Sequence, residues 1–110
     1  MRATALLELV SQEPELGRPI VAGFAPIRAE VIYSVRQEMA MTIDDVLSRR
    51  TGLQLLDWKA AREAAALTGS LMARELGWGA ERTRSEVENY REKITRLLAL
   101  AGLRDERKTA

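Results

Sequence analysis

Apolar residues recur at helical spacing along most of this chain, and this periodicity limits the fold more than any other feature of the sequence. Residues 3–10 place Ala3, Leu6, Leu7 and Val10 at positions i, i+3, i+4 and i+7 of one stripe, the pattern of an amphipathic helix. No segment shows the two-residue alternation that is typical of a half-buried strand. We therefore predict an all-α protein, a compact bundle of about five to six helices with no sheet.

Stripes of the same kind predict further helices over residues 28–40, 43–51, 58–76 and 80–102. Each of these helices should turn one apolar face toward a shared core. The expected core residues are Val31, Ile32, Val35 and Met39 in helix 28–40, and Ile43, Val46 and Leu47 in helix 43–51. In helix 58–76 they are Leu67, Leu71, Met72 and Leu76, and in helix 80–102 they are Val87, Tyr90, Ile94, Leu97, Leu98 and Ala101.

Several helix ends are marked by residues with a known capping preference. Thr42 is suited to the N-cap of the third helix, and Asp45 stands three residues later, where a capping partner is expected. Asp57 is a good N-cap for the following Ala-rich helix. Gly52 and Gly77 are positioned to end these two helices, because glycine adopts the left-handed conformation without steric cost.

Two stretches interrupt the helical pattern. Proline and glycine are so dense over residues 13–27 that neither a long helix nor a central strand is expected there, but the apolar residues of this connector should lie on the core. Gly69 falls inside the predicted helix 58–76, where glycine costs about 1 kcal/mol relative to alanine. We therefore predict a break or kink near residues 66–69.

The chain contains neither histidine nor cysteine, and this excludes several classes of chemistry. Zinc, copper and haem sites lose their usual ligands, and a histidine-activated nucleophile is impossible. Charged residues make up 30% of the chain, but the net charge is only +1, with none of the concentrated positive charge that nucleic-acid binding requires. No apolar run is long enough to span a membrane. We assign no catalytic, cofactor-binding or metal-binding residue, and we expect a cytoplasmic protein.

The stretch AMTIDDVLSRRTGLQLLD (40–57) raises a specific alternative, because a capped helix, two arginines and a glycine turn also begin a helix-turn-helix. The next helix of that motif offers polar or basic side chains to DNA bases. Here the next helix is Ala-rich and is headed by Asp57, which would face phosphates with the wrong charge. DNA binding is therefore the less favoured hypothesis. Asp44, Asp45 and Asp57 are better explained as helix caps and dipole partners than as an acid–base pair.

The second and third predicted helices meet at a tight corner, where we predict that polar side chains bond to one another. Glu38 or Glu30 is placed to pair with Arg49 or Arg50. A solvated pair would contribute little, whereas breaking a buried one would cost on the order of 3–5 kcal/mol. Separate surface charges remain the alternative. The predicted members of this polar corner are Tyr33, Arg36, Glu38, Thr42, Asp45, Arg49 and Arg50.

Three stretches, AEVIYSVRQEMAMTIDDVLSRRTGLQLLD (29–57), MARELGW (72–78) and ENYRE (88–92), resemble one protein family. They are similar to the C-terminal helical domain of FAD-dependent (aerobic, quinone-linked) glycerol-3-phosphate dehydrogenases, whose pattern is E-V-x-Y-x-V-R-x-E-M-A-x-T-L-x-D-x-L-x-R-R-T-R. The resemblance extends over residues 8–92. The matching positions are Glu30, Val31, Tyr33, Val35, Arg36, Glu38, Met39, Ala40, Thr42, Asp45, Leu47, Arg49, Arg50 and Thr51.

Some positions depart from residues that are frequent in the family. The family often has histidine at the position of Gln37, arginine at that of Gly52 and aspartate at that of Gly79. It also often has a proline near the position that Ala66 occupies here. Gly79 remains an acceptable N-cap, and Gln37 removes any role that needs a titrating imidazole. None of these departures changes the expected fold.

The resemblance implies that this chain is the accessory C-terminal domain of a longer enzyme. The parent enzymes oxidise glycerol 3-phosphate to dihydroxyacetone phosphate with a bound FAD, pass the electrons to a quinone and associate with the membrane. Their flavin and substrate residues lie upstream, so we expect no cofactor in this chain and no activity from it alone. The N-terminal FAD/substrate domain of the same polypeptide is the expected partner, membrane contact occurs only through the parent, and a homo-oligomer remains open.

We expect residues 1–110 to form one domain with a core over about residues 3–102 and a frayed tail at 103–110. A free-standing helical protein-interaction module is the alternative to the accessory domain. A reading frame that continues upstream into a Gly-rich flavin fingerprint would separate the two.

Overall fold

The computed structural model describes residues 2–50 and 57–100, with side chains described over 3–48 and 57–100. Within these ranges the chain forms no strand, only an isolated bridge between Pro19 and Ile27. This confirms the predicted all-α bundle. Its helices are α1 (Arg2–Gln12), a 3₁₀ turn (Pro14–Gly17), α2 (Ala29–Glu38), a π-helix (Asp45–Arg50), α3 (Trp58–Leu76) and α4 (Ala80–Leu100).

The ends of α3 are capped as its sequence predicts. The Asp57 carboxylate accepts a hydrogen bond from the backbone N–H of Ala60 at 3.0 Å. At the other end Gly77 has a φ of 75°, and its N–H donates to the carbonyl of Ala73 at 2.9 Å. Gly52 and the predicted tail at 103–110 lie outside the described residues.

The connector between α1 and α2 lies on the core, as its apolar residues predict. Leu16 and Ile20 are buried, and Phe24 packs against the core with part of its surface exposed. Backbone hydrogen bonds hold the segment in place, including one from the N–H of Ile20 to the carbonyl of Pro26 at 3.0 Å. Residues 13–27 are therefore part of the folded body instead of a linker.

The main core lies between α3, α4, α2 and the helix that follows it. Among its fully buried side chains are Met72 of α3, Ile94 of α4 and Val31 of α2. A smaller cluster around Ile32 and Leu16 joins α1 to the other side of α2. The two clusters therefore hold α2 from two sides. The predicted core positions Ile43, Val46, Leu47, Met72, Val87, Tyr90, Ile94 and Leu98 are all buried, whereas Leu67, Leu71, Leu76 and Leu97 are partly buried.

The predicted apolar stripe of α1 was wrong in two positions, because Ala3 and Leu7 are both exposed. Leu7 is 70% exposed, whereas Leu6, Leu9 and Val10 pack against the smaller cluster. Those three residues also have i, i+3, i+4 spacing, so the sequence contains two overlapping stripes. Only the stripe that packs against the smaller cluster is covered.

Met39 is also placed differently from the prediction. It was assigned to the buried face of α2, but α2 ends at Glu38 and Met39 is 80% exposed. Its φ of 58° is in the left-handed region, which is unfavourable for residues other than glycine. The helix ends here because the next residue, Ala40, turns inward to a buried position and donates its N–H to the carbonyl of Ser34 at 3.0 Å.

The break predicted near residues 66–69 does not occur, because α3 is continuous from Trp58 to Leu76. Gly69 is buried, and a Cβ atom at this position would lie 2.7 Å from Cγ2 of Val87 in α4 and 3.3 Å from Cδ1 of Ile43. The glycine therefore permits a close approach between neighbouring helices. Packing across this contact offsets the low helix propensity of glycine.

The Gly69→Ala variant tests this contact. We expect it to lower the free energy of unfolding by about 1–3 kcal/mol, because overpacking outweighs the roughly 1 kcal/mol gained in helix propensity. Val87 is β-branched and has little rotamer freedom in a helix. Urea denaturation should show that the double variant Gly69→Ala/Val87→Ala loses less than the sum of the two single changes. A stabilising effect of Gly69→Ala would contradict the close approach.

The hydroxyl of Thr68 gives a second prediction. It is fully buried and has no hydrogen-bond partner within the described part of the chain. Thr68→Val keeps the shape and removes the unsatisfied group, so it should raise the free energy of unfolding by about 1 kcal/mol. Ser34→Ala is the control, because the buried hydroxyl of Ser34 donates to the carbonyl of Glu30 at 2.6 Å. Equal stabilisation by both changes would argue against an unsatisfied hydroxyl at Thr68.

Candidate functional site

The start of the helix after α2 is fixed by two residues that cap each other. The Thr42 hydroxyl accepts from the backbone N–H of Asp45 at 3.1 Å, and the Asp45 carboxylate accepts from the N–H of Thr42 at 3.2 Å. The same carboxylate also accepts from the N–H of Met41 at 3.0 Å. This confirms the predicted capping pair and fixes the direction in which the chain leaves the corner.

Asp44, which was predicted to complement the helix dipole, also forms an ion pair with Lys93 of α4. The two residues border a cleft of about 310 Å³ that Tyr90 lines from the core side. Burial raises the pKa of Tyr90, and the negative charge of Asp44 raises it further. The Tyr90 hydroxyl therefore remains protonated under physiological conditions. The ion pair between Asp44 and Lys93 holds α4 against the beginning of the helix that follows α2.

Arg36 of α2 forms an ion pair with Glu75 of α3. Its guanidinium donates from Nε to Glu75 Oε1 at 2.6 Å and from Nη2 to Glu75 Oε2 at 3.2 Å, a bidentate pair. The side chain of Glu75 is only 12% exposed. The hydrogen bond to Glu75 raises the pKa of Arg36 more than partial burial lowers it.

This ion pair extends into a chain of four charges. Arg74 Nε lies 3.8 Å from Glu75 Oε2, and Arg74 Nη1 lies 2.8 Å from Glu13 Oε2 in the connector. The chain Arg36–Glu75–Arg74–Glu13, which we term the polar seam, joins α2, α3 and the connector. It therefore links residues that are distant in the sequence.

The predicted polar corner is thus divided in the structure. Thr42 and Asp45 form the capping pair, whereas Arg36 belongs to the polar seam. Tyr33 and Glu38 are half-buried on α2, and Tyr33 borders a shallow cavity of about 130 Å³ between α1 and α2. The side chains of Arg49 and Arg50 lie outside the described residues, so their part in the corner remains a prediction.

Glu75, Arg74 and Glu13 were not among the predicted site residues. Local spacing gives no sign of them, because Arg36 and Glu75 are 39 residues apart. Glu30, one of the carboxylates considered for the corner, accepts from the backbone N–H of Ile27 at 2.7 Å and so helps to fix the start of α2. The signal for Glu75 was its place within MARELGW, one of the stretches that carry the family resemblance.

The described residues offer no group of three His, Cys, Asp or Glu side chains that could hold a metal ion. Within the same part of the chain, no helix is long and apolar enough to cross a membrane. The charged groups of the capping pair and the polar seam bond to backbone N–H groups and to opposite charges. Their arrangement fixes the relative positions of the helices.

Residues 1–83 match the family model described as the C-terminal domain of alpha-glycerophosphate oxidase. This match covers α1, α2, the capping pair of Thr42 and Asp45, and α3.

The chain belongs to this family.

The curated proteins to which this chain is similar include glycerol-3-phosphate dehydrogenases. The Synechocystis protein is 32% identical over 91 residues, which are 83% of this chain and 16% of the relative. The probable mitochondrial enzyme of Dictyostelium discoideum is 36% identical over 80 residues, 73% of this chain and 12% of the relative. The mitochondrial enzyme of Rattus norvegicus is 43% identical over 75 residues, which are 68% of this chain and 10% of the relative. No solved structure matches the chain.

Two of the stretches that carry the family resemblance meet in the polar seam. Arg36 comes from VRQEMA in α2, and Glu75 comes from MARELGW at the end of α3. A bidentate pair needs both partners in fixed orientations. The ion pair between Arg36 and Glu75 is therefore a physical reason why these two stretches occur together in this chain.

A double-mutant cycle on Arg36→Ala and Glu75→Ala tests the polar seam. We expect a coupling of about 1 kcal/mol in the free energy of unfolding, because the pair is bidentate and Glu75 is largely buried. The matched control is Arg96 and Glu92 of α4, which are 70% and 69% exposed with an N···O distance of 3.9 Å. That pair should couple by no more than about 0.5 kcal/mol. Equal coupling in the two cycles would contradict a special role for Arg36.

Proposed function

We propose that this chain is the accessory C-terminal domain of an FAD-dependent glycerol-3-phosphate dehydrogenase. The parent would oxidise glycerol 3-phosphate to dihydroxyacetone phosphate and pass the electrons to a quinone. The observation that carries this proposal is the unequal coverage of the relatives. The aligned regions take up 68–83% of this chain but only 10–16% of the relatives named above. The larger part of each relative therefore lies outside the aligned region.

The described residues do not fit a flavin site. A dinucleotide-binding loop places glycines between a buried strand and a helix, so that backbone N–H groups face the pyrophosphate. Gly77 and Gly79 instead join α3 to α4, and no strand precedes them in the described part of the chain. We derive no reaction step from this chain. Flavin binding and catalysis belong to the rest of the proposed parent.

The role that we propose for the chain is to pack on the catalytic body of the parent as a single domain. The capping pair and the polar seam support this role because they hold the helices in fixed positions, as a rigid docking surface requires. Arg49 and Arg50 are the members of the predicted corner for which we propose either an internal pair or a contact with the catalytic body. The cytoplasmic location and a peripheral membrane contact of the parent are part of the same proposal.

The helix-turn-helix hypothesis receives no support from α3. Its first turn begins at the acidic cap Asp57, and Ala60 and Ala61 are buried in the core. A recognition helix must present its first turns to the major groove of DNA. A free-standing interaction module is likewise less favoured, since the curated relatives carry this region within much longer enzymes.

The proposal can be tested with three versions of the protein: this chain, the parent polypeptide extended upstream, and the parent without this chain. We expect the parent to be yellow and to reduce an artificial electron acceptor with glycerol 3-phosphate. This chain alone should have no flavin absorbance and no turnover. The truncated parent should unfold at a lower temperature, because it loses the contacts made by this domain.

The thermal shift is the decisive measurement for the docking role. Adding this chain in trans to the truncated parent should recover part of the lost stability, and the recovered part should increase with the logarithm of the concentration of the added chain once that concentration exceeds Kd. A truncated parent with unchanged stability and turnover would contradict docking. A yellow and active preparation of this chain alone would contradict its assignment as an accessory domain.

A further inference from the structure

Two methionines lie in the turn that follows α2. Met39 and Met41 are both largely exposed, whereas Ala40 between them is buried in the main core. Among the described side chains, the other large apolar residues with most of their surface exposed are Leu7 and Leu100, and each lies on a separate helix. The chain therefore concentrates exposed apolar surface at residues 39–41, which we term the methionine turn.

The backbone of Met39 is strained. Its φ of 58° and ψ of 32° are left-handed, a conformation that glycine commonly adopts at the end of a helix because other residues incur a steric cost there. Packing within the domain does not offset this cost, since most of the Met39 side chain faces solvent. Strained residues occur frequently at functional sites, where the surrounding structure holds them in place. A contact outside the domain therefore explains the Met39 side chain better than the folding of the domain does.

Hydrogen bonds fix the backbone of the methionine turn. The N–H of Ala40 donates to the carbonyl of Ser34 at 3.0 Å, and the N–H of Met41 donates to the carboxylate of Asp45 at 3.0 Å. The buried side chain of Ala40 anchors the turn between the two methionines. The backbone therefore loses little further conformational freedom when the turn binds a partner, and this favours affinity.

We propose that the methionine turn is the contact through which this domain docks on the catalytic body of its parent, with both methionine side chains in an apolar pocket of that body. This inference rests on the proposed function and adds to it the surface that is used. The aligned regions make up only 10–16% of the relatives named above, so the proposed parent supplies a much larger body that can cover the turn. Methionine suits such a contact because its unbranched side chain adapts to irregular apolar surfaces, and it is enriched in protein interfaces.

The charge around the methionine turn favours a protein partner over an anionic membrane surface. Residues 37–46 carry three carboxylates, those of Glu38, Asp44 and Asp45, and no basic residue. Lys93 offsets one of these charges through its ion pair with Asp44. Anionic lipid headgroups attract basic segments and repel acidic ones. We therefore expect arginine or lysine side chains of the catalytic body at the rim of the apolar pocket.

Met39→Gly tests the strain in the methionine turn. Because glycine adopts the left-handed conformation without steric cost, we expect the thermal midpoint of the 110-residue chain to rise by about 2–6 °C. Met41→Gly is the matched control, because Met41 does not have a positive φ, and there glycine should only increase the conformational entropy of the unfolded chain and lower the midpoint. A lower midpoint for Met39→Gly would overturn the inference.

The affinity of this chain for the truncated parent tests the docking surface. Met39→Gly/Met41→Ser removes both exposed side chains, and we expect a Kd at least about tenfold higher than that of the original chain in isothermal titration calorimetry. Leu7→Ser is the control, because it removes a comparably exposed apolar side chain from α1, and its Kd should change by less than about twofold. Met39→Gly alone should make the chain more stable but should weaken its binding, which a purely structural role would not do.

These measurements also distinguish a failure of this inference from a failure of the proposed function. If the original chain does not bind the truncated parent, docking itself is contradicted and both proposals are overturned. If the original chain binds and the double variant binds equally well, only the role of the methionine turn is overturned. Equal losses for the double variant and for Leu7→Ser would also overturn that role, because the effect would not be specific to the turn.

Photo-cross-linking in the complete parent identifies the occupant of the methionine turn. A diazirine analogue incorporated in place of methionine keeps an unbranched apolar side chain at positions 39 and 41. We expect cross-links from residues 39–41 to peptides of the catalytic body upstream of this chain. Cross-links from the turn to a second copy of this domain, cross-links to lipid when anionic vesicles are added, or the absence of any cross-link would each overturn the catalytic body as the occupant.

Discussion

Three helices of the bundle meet at the α-carbon of Gly69. Val87 of α4 and Ile43, at the start of the helix that follows α2, both point methyl groups at the space that a side chain of residue 69 would occupy. The position of Ile43 in turn places Thr42 and Asp45, which cap that helix, and it places Asp44 beside Lys93. A single missing side chain in α3 therefore sets the geometry of the corner on one side and the packing of α4 on the other.

A second set of contacts holds α2 in the bundle. Val31 belongs to the main core and Ile32 to the smaller cluster with α1, so neighbouring residues of α2 are buried in different clusters. The polar seam adds a directional contact at the end of α3, because Arg36 can bond both oxygens of Glu75 only in one orientation. Apolar burial supplies most of the stability here, whereas the bidentate pair defines how α2 is rotated about its axis. This division of roles is expected when a half-exposed ion pair lies at the edge of an apolar interface.

Local rules predicted the fold class, the helices and several of their ends. Thr42 with Asp45, Asp57 and Gly77 act within one helical turn, so neighbouring residues suffice to predict them. The errors at Leu7, Met39 and Gly69 all arose where a distant segment decides the outcome. Two stripes in α1 have equal spacing, and only the packing of α1 on Ile32 and Leu16 selects one of them. The partner of Arg36 was also beyond local reasoning, because it lies 39 residues away. The side chains of Arg49 and Arg50, which complete the predicted corner, are outside the described residues.

The placement of the methionines has a consequence for the chemical durability of this fold. Met39 and Met41 are 80% and 60% exposed, whereas Met72 is completely enclosed in the main core. Oxidants reach thioethers according to their exposure, and the resulting sulfoxide is polar. Oxidation at the corner would add oxygen to side chains that already face water, and the buried sulfur that supports α3 would be spared. The surface at the turn after α2 would thus become more polar under oxidative stress while the packing of the bundle stays intact.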